Sequence, residues 1–154
     1  MREGFLGTAA PFYVDLVLLL ELTMGVALLT GAFFARLGRF RAHGWCQSAV
    51  VLMNAVVIVF VMLPSFHRRV WPRIPLRFGK SFYVLATAHA ALGAIVECAA
   101  LYILLAASTT LMPEKLRLTR YKLWMRTVLA GWWGVLLLGI ATYARWYIPN
   151  LFRR

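Results

Sequence analysis

Residues Leu16–Ala35 read LVLLLELTMGVALLTGAFFA, a run whose single charged residue is Glu21. An α-helix needs about 20 mostly apolar residues to cross the hydrocarbon core of a bilayer. Pro11 and Asp15 stand just ahead of this run and suit a helix start. The stretch is long enough to span, and Glu3 and Asp15 spoil the charge pattern of a cleaved leader, so it is expected to remain as the first helix. Three runs of the same kind follow: Cys46–Leu63, stopped by Pro64; Ser81–Ala107, ending before Pro113; and Leu123–Ile148, stopped by Pro149. The connections Arg36–Trp45, Pro64–Lys80 and Ser108–Lys122 are short, and Pro72, Pro75 and Gly79 resist regular structure in the second. Short connections favour sequential antiparallel neighbours. The expected fold is all-α, an integral-membrane up-down-up-down four-helix bundle forming one transmembrane domain over residues 1–154, with both termini on one side.

Composition agrees with lipid as the solvent. Of 154 residues 62% are hydrophobic and only 14% charged, with a mean hydropathy of +0.75. Soluble domains carry roughly 45–50% apolar and about 25% charged residues. The formal net charge of +12 would suggest nucleic acid in a soluble protein. Here the Lys and Arg residues sit between the apolar runs, where they meet lipid headgroups, so the expected partner is the bilayer and no nucleic acid. Aromatic residues crowd the ends of the runs as an interfacial belt: Phe12, Tyr13, Trp45, Phe66, Trp71, Phe82, Tyr83, Trp124, Trp146 and Tyr147. Eight basic residues fall on one side (Arg36, Arg39, Arg41, Lys115, Arg117, Arg120, Lys122, Arg126) and nine on the side of the termini, so charge asymmetry does not set the orientation. The two cysteines, Cys46 and Cys98, lie inside apolar runs and give no disulfide framework.

Ionisable residues at membrane depth are costly and usually face the bundle interior. Glu21, His89, Tyr143 and Arg145 fall within about two turns of the terminal end of their helices, and His67 lies in the loop at that end. Two imidazoles with a carboxylate or phenol nearby suit haem iron or copper, which makes His67 and His89 the candidate metal ligands and Glu21, Tyr143 and Arg145 their support. The competing reading is a Glu–Arg or Glu–His pair that neutralises buried charge and fixes the bundle. On the second run His43, Gln47 and Asn54 fall within about 40° of one another on a helical face. Asn54 and Glu97 lie at matching depth and are expected to hydrogen bond, a common glue between transmembrane helices. A proton or quinone path is the alternative use of that pair. Small residues Ala86, Ala90, Gly93, Ala94 and Ala100 line one side of the third run and allow close approach. Trp132, Gly139 and Tyr143 form a stripe on the fourth that reads as core. No nucleophile–base pair, glycine-rich phosphate loop or His-x-x-x-His motif is present, so the sequence supports neither a hydrolase nor an ATP-driven transporter, and a non-enzyme is expected.

Between about Arg36 and Tyr147 the chain resembles the CtaM/YozB-like bacterial proteins, small four-helix membrane proteins. The family pattern has a His opening one helix, a second in the following loop, and a third in an aromatic-rich stretch opening the next helix. It closes with a His five residues before an Arg, then Trp, Gly and Tyr along the last helix. Here His43, His67 and His89 fall at the first three places, the last of these in FYVLATAH, and Arg126, Trp132, Gly139 and Tyr143 keep the final spacing. Tyr121 stands where the family has its fourth His. The resemblance implies a factor in the maturation of haem–copper oxidases of the bacterial inner membrane. The leading expectation is therefore a non-catalytic assembly or accessory protein of a respiratory complex that handles haem b or copper through His43, His67 and His89. The alternatives are a membrane b-type cytochrome or quinone-linked electron carrier, and a purely structural subunit.

Overall fold

The computed structural model describes residues 4–77, 79–108 and 119–148. Most of the Ser108–Lys122 connection lies outside the described residues, as do Pro113, Pro149 and the basic residues Arg2, Lys115, Arg117, Arg153 and Arg154. The helices are α1 (Phe12–Arg36), α2 (Phe40–Val57), α3 (Leu63–Arg69), α4 (Ile74–Arg77), α5 (Ser81–Ser108) and α6 (Tyr121–Tyr147). A π-helical turn, Ile58–Met62, joins α2 to α3, and a 3₁₀ turn, Trp71–Arg73, precedes α4. Four helical spans, Phe12–Arg36, Phe40–Arg77, Ser81–Ser108 and Tyr121–Tyr147, are long and apolar enough to cross a membrane. At about 1.5 Å per residue, the 25 residues of α1 cover more than the ~30 Å hydrocarbon thickness.

Both ends of the second span depart from the sequence expectation, each for a local reason. The reading Cys46–Leu63 places the start six residues too late. Gly38 takes a left-handed conformation, φ 73°, which its missing Cβ permits. The Arg39 N–H then donates to the Phe34 carbonyl at 2.9 Å and the Gly38 N–H to the Ala35 carbonyl at 3.2 Å. These two bonds close α1 as a Schellman motif, and the reversal is tight enough for α2 to start at Phe40. At the other end Pro64 does not stop the helix. Proline lacks the N–H and its ring crowds the carbonyl four residues back. The chain widens by one residue instead: the Leu63 N–H donates to the Ile58 carbonyl, five residues earlier, and helical structure resumes through Arg69.

The four spans form a ring in which α1 neighbours α2 and α6, and α5 neighbours α6 and α2. The sequential hairpins α1–α2 and α5–α6 are the tightest pairs. Helices α1 and α5 therefore stand diagonally across the bundle. The Ala9 N–H donates to the Tyr147 carbonyl at 3.2 Å, so the start of α1 and the end of α6 share one end of the ring, the terminal end. The core between the hairpins is Met24, Leu28, Val50, Val96, Trp132 and Leu136. A second cluster, Val70, Tyr83 and Ala86 with Phe66, Phe82 and Trp146, closes the terminal end, where Phe82 stacks on Trp146 at 4.4 Å.

The surface differs from that of a water-soluble protein more than the core does. Large apolar side chains lie on the outside of every span, including Val26, Phe60, Ile95 and Leu137. Among the described residues the buried polar side chains are Asp15, Asn54 and Glu97, set within an otherwise apolar core. Apolar outer faces along every span belong to a bundle whose surroundings are hydrocarbon. The protein is a membrane helical bundle in contact with the lipid bilayer.

Candidate functional site

The polar side chains of the interior fall into three groups, set by what each helix offers its neighbour. Within the α1–α2 hairpin, α2 donates to backbone carbonyls of α1 at three points. The His43 Nδ1–H reaches the Gly31 carbonyl at 2.8 Å, the Cys46 thiol the Ala27 carbonyl at 3.2 Å, and the Gln47 amide the Leu28 carbonyl at 3.1 Å. A carbonyl only accepts, so His43 donates through Nδ1. The Gln47 side chain fills the place a Cβ of Gly31 would take, so the glycine is what lets the helices come this close.

The α5–α6 hairpin repeats the device. The His89 Nδ1–H donates to the Val135 carbonyl at 3.0 Å. Its ring lies against Gly139, where a Cβ would come within 3.0 Å of His89 Cε1. The Tyr121 hydroxyl donates to the Ala106 carbonyl at 3.1 Å and ties the far end of the same hairpin.

Between the hairpins the contacts are made by carboxyl groups. At the terminal end Asp15 is fully buried with both oxygens engaged: Oδ1 accepts from the Tyr143 hydroxyl at 2.6 Å and Oδ2 from the Leu6 N–H at 3.0 Å. The Tyr143 hydroxyl also lies 2.6 Å from Thr8 Oγ1, so residues 4–11 are tied onto the α1–α6 seam. In the middle of the bundle the Asn54 amide donates to Glu97 Oε2 at 2.8 Å across the α2–α5 seam, the pair expected from matched depth. Glu97 Oε1 is buried with no hydrogen-bond partner, and so is Glu21 Oε1. Glu21 and Glu97 belong to the diagonal helices α1 and α5.

The remaining candidates separate. His67 is exposed on α3 and shares no hydrogen bond with His89 or Glu21. His43 sits on the α1–α2 seam near the opposite end, and His89 on the α5–α6 seam. His89, the imidazole at similar depth to Glu21, is held by its own hairpin, and Glu21 Oε1 is buried without a hydrogen-bond partner. Among the described residues no three His, Cys, Asp or Glu side chains gather as a bound metal ion would require. A haem held by two imidazoles needs both rings to face one iron from opposite sides, and His43 and His89 on two different seams, with His67 exposed, do not provide that. The donor set therefore does not fit a resident metal or haem.

Asp15, Thr8, Cys46 and Trp133 carry contacts or buried polar atoms that the sequence reading passed over. The one signal available for Asp15 was its position immediately before an apolar run, which marks a helix start equally well. No protein-family model matches the chain, and neither the curated proteins nor the solved structures yield a match.

Proposed function

We propose that the protein is a non-catalytic accessory factor of the bacterial inner membrane that acts on a respiratory complex of the haem–copper oxidase type during its assembly, with both termini on one side of the membrane. The observation that carries the reading is the division of labour in the bundle. Its interior polar groups bind its own helices, and its outer faces are apolar along every span. Such a surface is suited to lateral association with another membrane protein, where packing rather than water exclusion drives contact. The resemblance of His43, His67, His89 and Arg126–Tyr143 to the oxidase-maturation family names the class of partner. Haem or copper enters this reading as cargo of the partner's assembly, with no step assigned to a group bound in the bundle. The cytochrome reading is the weaker one, because the imidazoles do not share a seam.

The test is removal of the protein from cells that make it, followed by a visible spectrum and a copper determination on the solubilised membranes. The expected outcome is loss of oxidase haem and copper signals while other membrane haems persist, with the tagged protein recovered together with oxidase subunits in mild detergent. Normal oxidase content in the deletion strain overturns the proposal.

A further inference from the structure

No acidic residue occurs between Glu21 and Glu97, and within that interval the short stretch 68–80 carries Arg68, Arg69, Arg73, Arg77 and Lys80. All five are exposed. Among the described residues no carboxylate pairs with any of them. Asp15, at the same end of the bundle, has both oxygens engaged by Tyr143 and Leu6. Arg69 lies over the Tyr13 ring, 5.7 Å from its centroid, which braces one guanidinium at the edge of α1. A cluster of like charges repels itself, so one left without an internal counter-charge needs an anion from outside the chain.

The fold places this stretch at the level of the headgroups. The second span, Phe40–Arg77, has 38 residues, whereas about 20 cross the hydrocarbon. Its surplus turns at Val70 and is fastened across the terminal end: Val70 is 3% exposed and packs with Phe66, Ile74, Tyr83, Ala86 and Trp146. With Phe66, Val70 and Ile74 turned inward, the arginines face outward beside two large side chains that the bundle leaves bare, Trp71 at 60% and Leu76 at 86% exposed. Cations next to exposed apolar groups at the end of a span match a lipid molecule, which has an anionic head and an apolar body. The opposite end offers no such continuous segment. Its described basic residues are divided between two connections, with Arg36, Arg39 and Arg41 in one and Arg120, Lys122 and Arg126 in the other.

We propose that residues 68–80 form a docking site for anionic phospholipid, with Arg68, Arg73 and Arg77 on the phosphodiester and Trp71 and Leu76 against the upper acyl chain. A guanidinium presents parallel N–H donors that match the two non-ester oxygens of a phosphodiester, and it stays charged at every physiological pH. A zwitterionic lipid carries its own ammonium beside the phosphate, which meets the arginine cluster with repulsion. The site therefore selects for net negative charge as well as for phosphate. This inference stands apart from the oxidase proposal, since it concerns the contact of the bundle with lipid alone.

The test is native mass spectrometry of the full chain in mild detergent, with phosphatidylglycerol and phosphatidylcholine of the same acyl chains competing at equal concentration. The expected result is retention of phosphatidylglycerol over phosphatidylcholine by about tenfold, falling as the ammonium acetate concentration rises. The triple variant Arg68→Gln, Arg73→Gln, Arg77→Gln should reduce that ratio to about one. The triple variant Arg36→Gln, Arg39→Gln, Arg41→Gln removes the same charge from the opposite end and should change the ratio by less than about twofold. Glycerol phosphate at the concentration of the lipid should displace none of it, because it lacks the chain that Trp71 and Leu76 contact. Equal retention of the two lipids by the unaltered chain overturns the proposal and leaves the arginines to an acidic protein surface. Equal loss in the two triple variants overturns it in favour of net charge alone, and displacement by glycerol phosphate in favour of a site for free phosphate. Should the first variant fail to fold, the salt and glycerol phosphate arms on the unaltered chain, with the opposite-end variant, still decide it.

Discussion

Two parts of the molecule hold buried carboxyl groups and use them in opposite ways. At the terminal end Asp15 is saturated, with Tyr143 on one oxygen and the Leu6 N–H on the other. Deeper in the bundle than Asp15, Glu21 and Glu97 each keep a buried oxygen without a donor. The difference teaches what each carboxyl is for. A saturated carboxylate in a low-dielectric interior is a structural link, because each donor lowers the cost of burying it. An unsaturated one adds little to stability as it stands and retains the capacity to take a proton. Asp15 should therefore behave as a rivet, and Glu21 should not.

The largest effect expected from breaking this contrast is at Asp15. Asp15→Ala leaves the Tyr143 hydroxyl and the Leu6 N–H without their acceptor and cuts residues 4–11 loose from the α1–α6 seam. Two stranded donors cost about 2–4 kcal/mol. Thermal unfolding in detergent should show a large fall in Tm, with rapid proteolysis near residues 4–11. Glu21→Gln in the same assay should leave Tm nearly unchanged. Equal losses for the two variants would erase the distinction.

Next in size is Gly139→Leu on the α5–α6 hairpin. A Cβ at this position already meets the His89 ring at 3.0 Å, so a leucine must push the imidazole off the Val135 carbonyl. Overpacking of this kind costs about 1–3 kcal/mol. The expected outcome is a lower Tm with the helical circular dichroism retained below it. Gly44→Ala is the control: nothing lies within 4 Å of a Cβ built there, so its Tm should not fall.

How much of this was legible beforehand follows from what depth along a helix can and cannot tell. The four spans and their antiparallel order were readable, because apolar length and short connections fix both. The Asn54–Glu97 bond was readable too, since depth alone brings those residues together on adjacent helices. The grouping of His67, His89 and Glu21 used depth in the same way and lacked the angle around each helix axis. That angle turned His89 toward a carbonyl beside Gly139 and left His67 exposed. A glycine on the facing helix was the usable signal, because imidazole can reach a backbone carbonyl only where the partner helix has no Cβ in the way. Gly31 serves Gln47 in the same manner, and its carbonyl accepts from His43. The role of Asp15 was hidden because its partner Tyr143 is 128 residues away in sequence. Pro64 misled because the π turn before it is a backbone adjustment with no composition of its own.

A smaller effect comes from Asn54→Leu, which removes the donor to Glu97. Hydrogen bonds between transmembrane helices are worth about 0.6 kcal/mol on average and rarely above ~1.7. The variant should lose about 1 kcal/mol of stability, less than Asp15→Ala by a clear margin. A Tm loss as large as that of Asp15→Ala would mean that Glu97 is a rivet like Asp15.

The smallest effect is expected at His67, and it separates the bundle's own structure from its work on a partner. His67 is exposed at the terminal end of α3, flanked by the exposed residues Arg68 and Arg69, with Arg69 lying 5.7 Å from the Tyr13 ring. Nothing in the bundle depends on the imidazole, so His67→Ala should change stability by no more than about 0.5 kcal/mol. His89→Ala, by contrast, loses the bond to Val135 and the packing against Gly139, and should lower Tm measurably. An accessible imidazole with no structural duty is the one free to meet a partner or its cargo. In cells, His67→Ala should therefore reduce oxidase haem or copper content while the protein remains at its normal level in the membrane. Full oxidase content in the His67→Ala strain, with loss only in the His89→Ala strain and in proportion to that protein's reduced level, would assign the histidines to holding the bundle together and remove His67 from the functional surface.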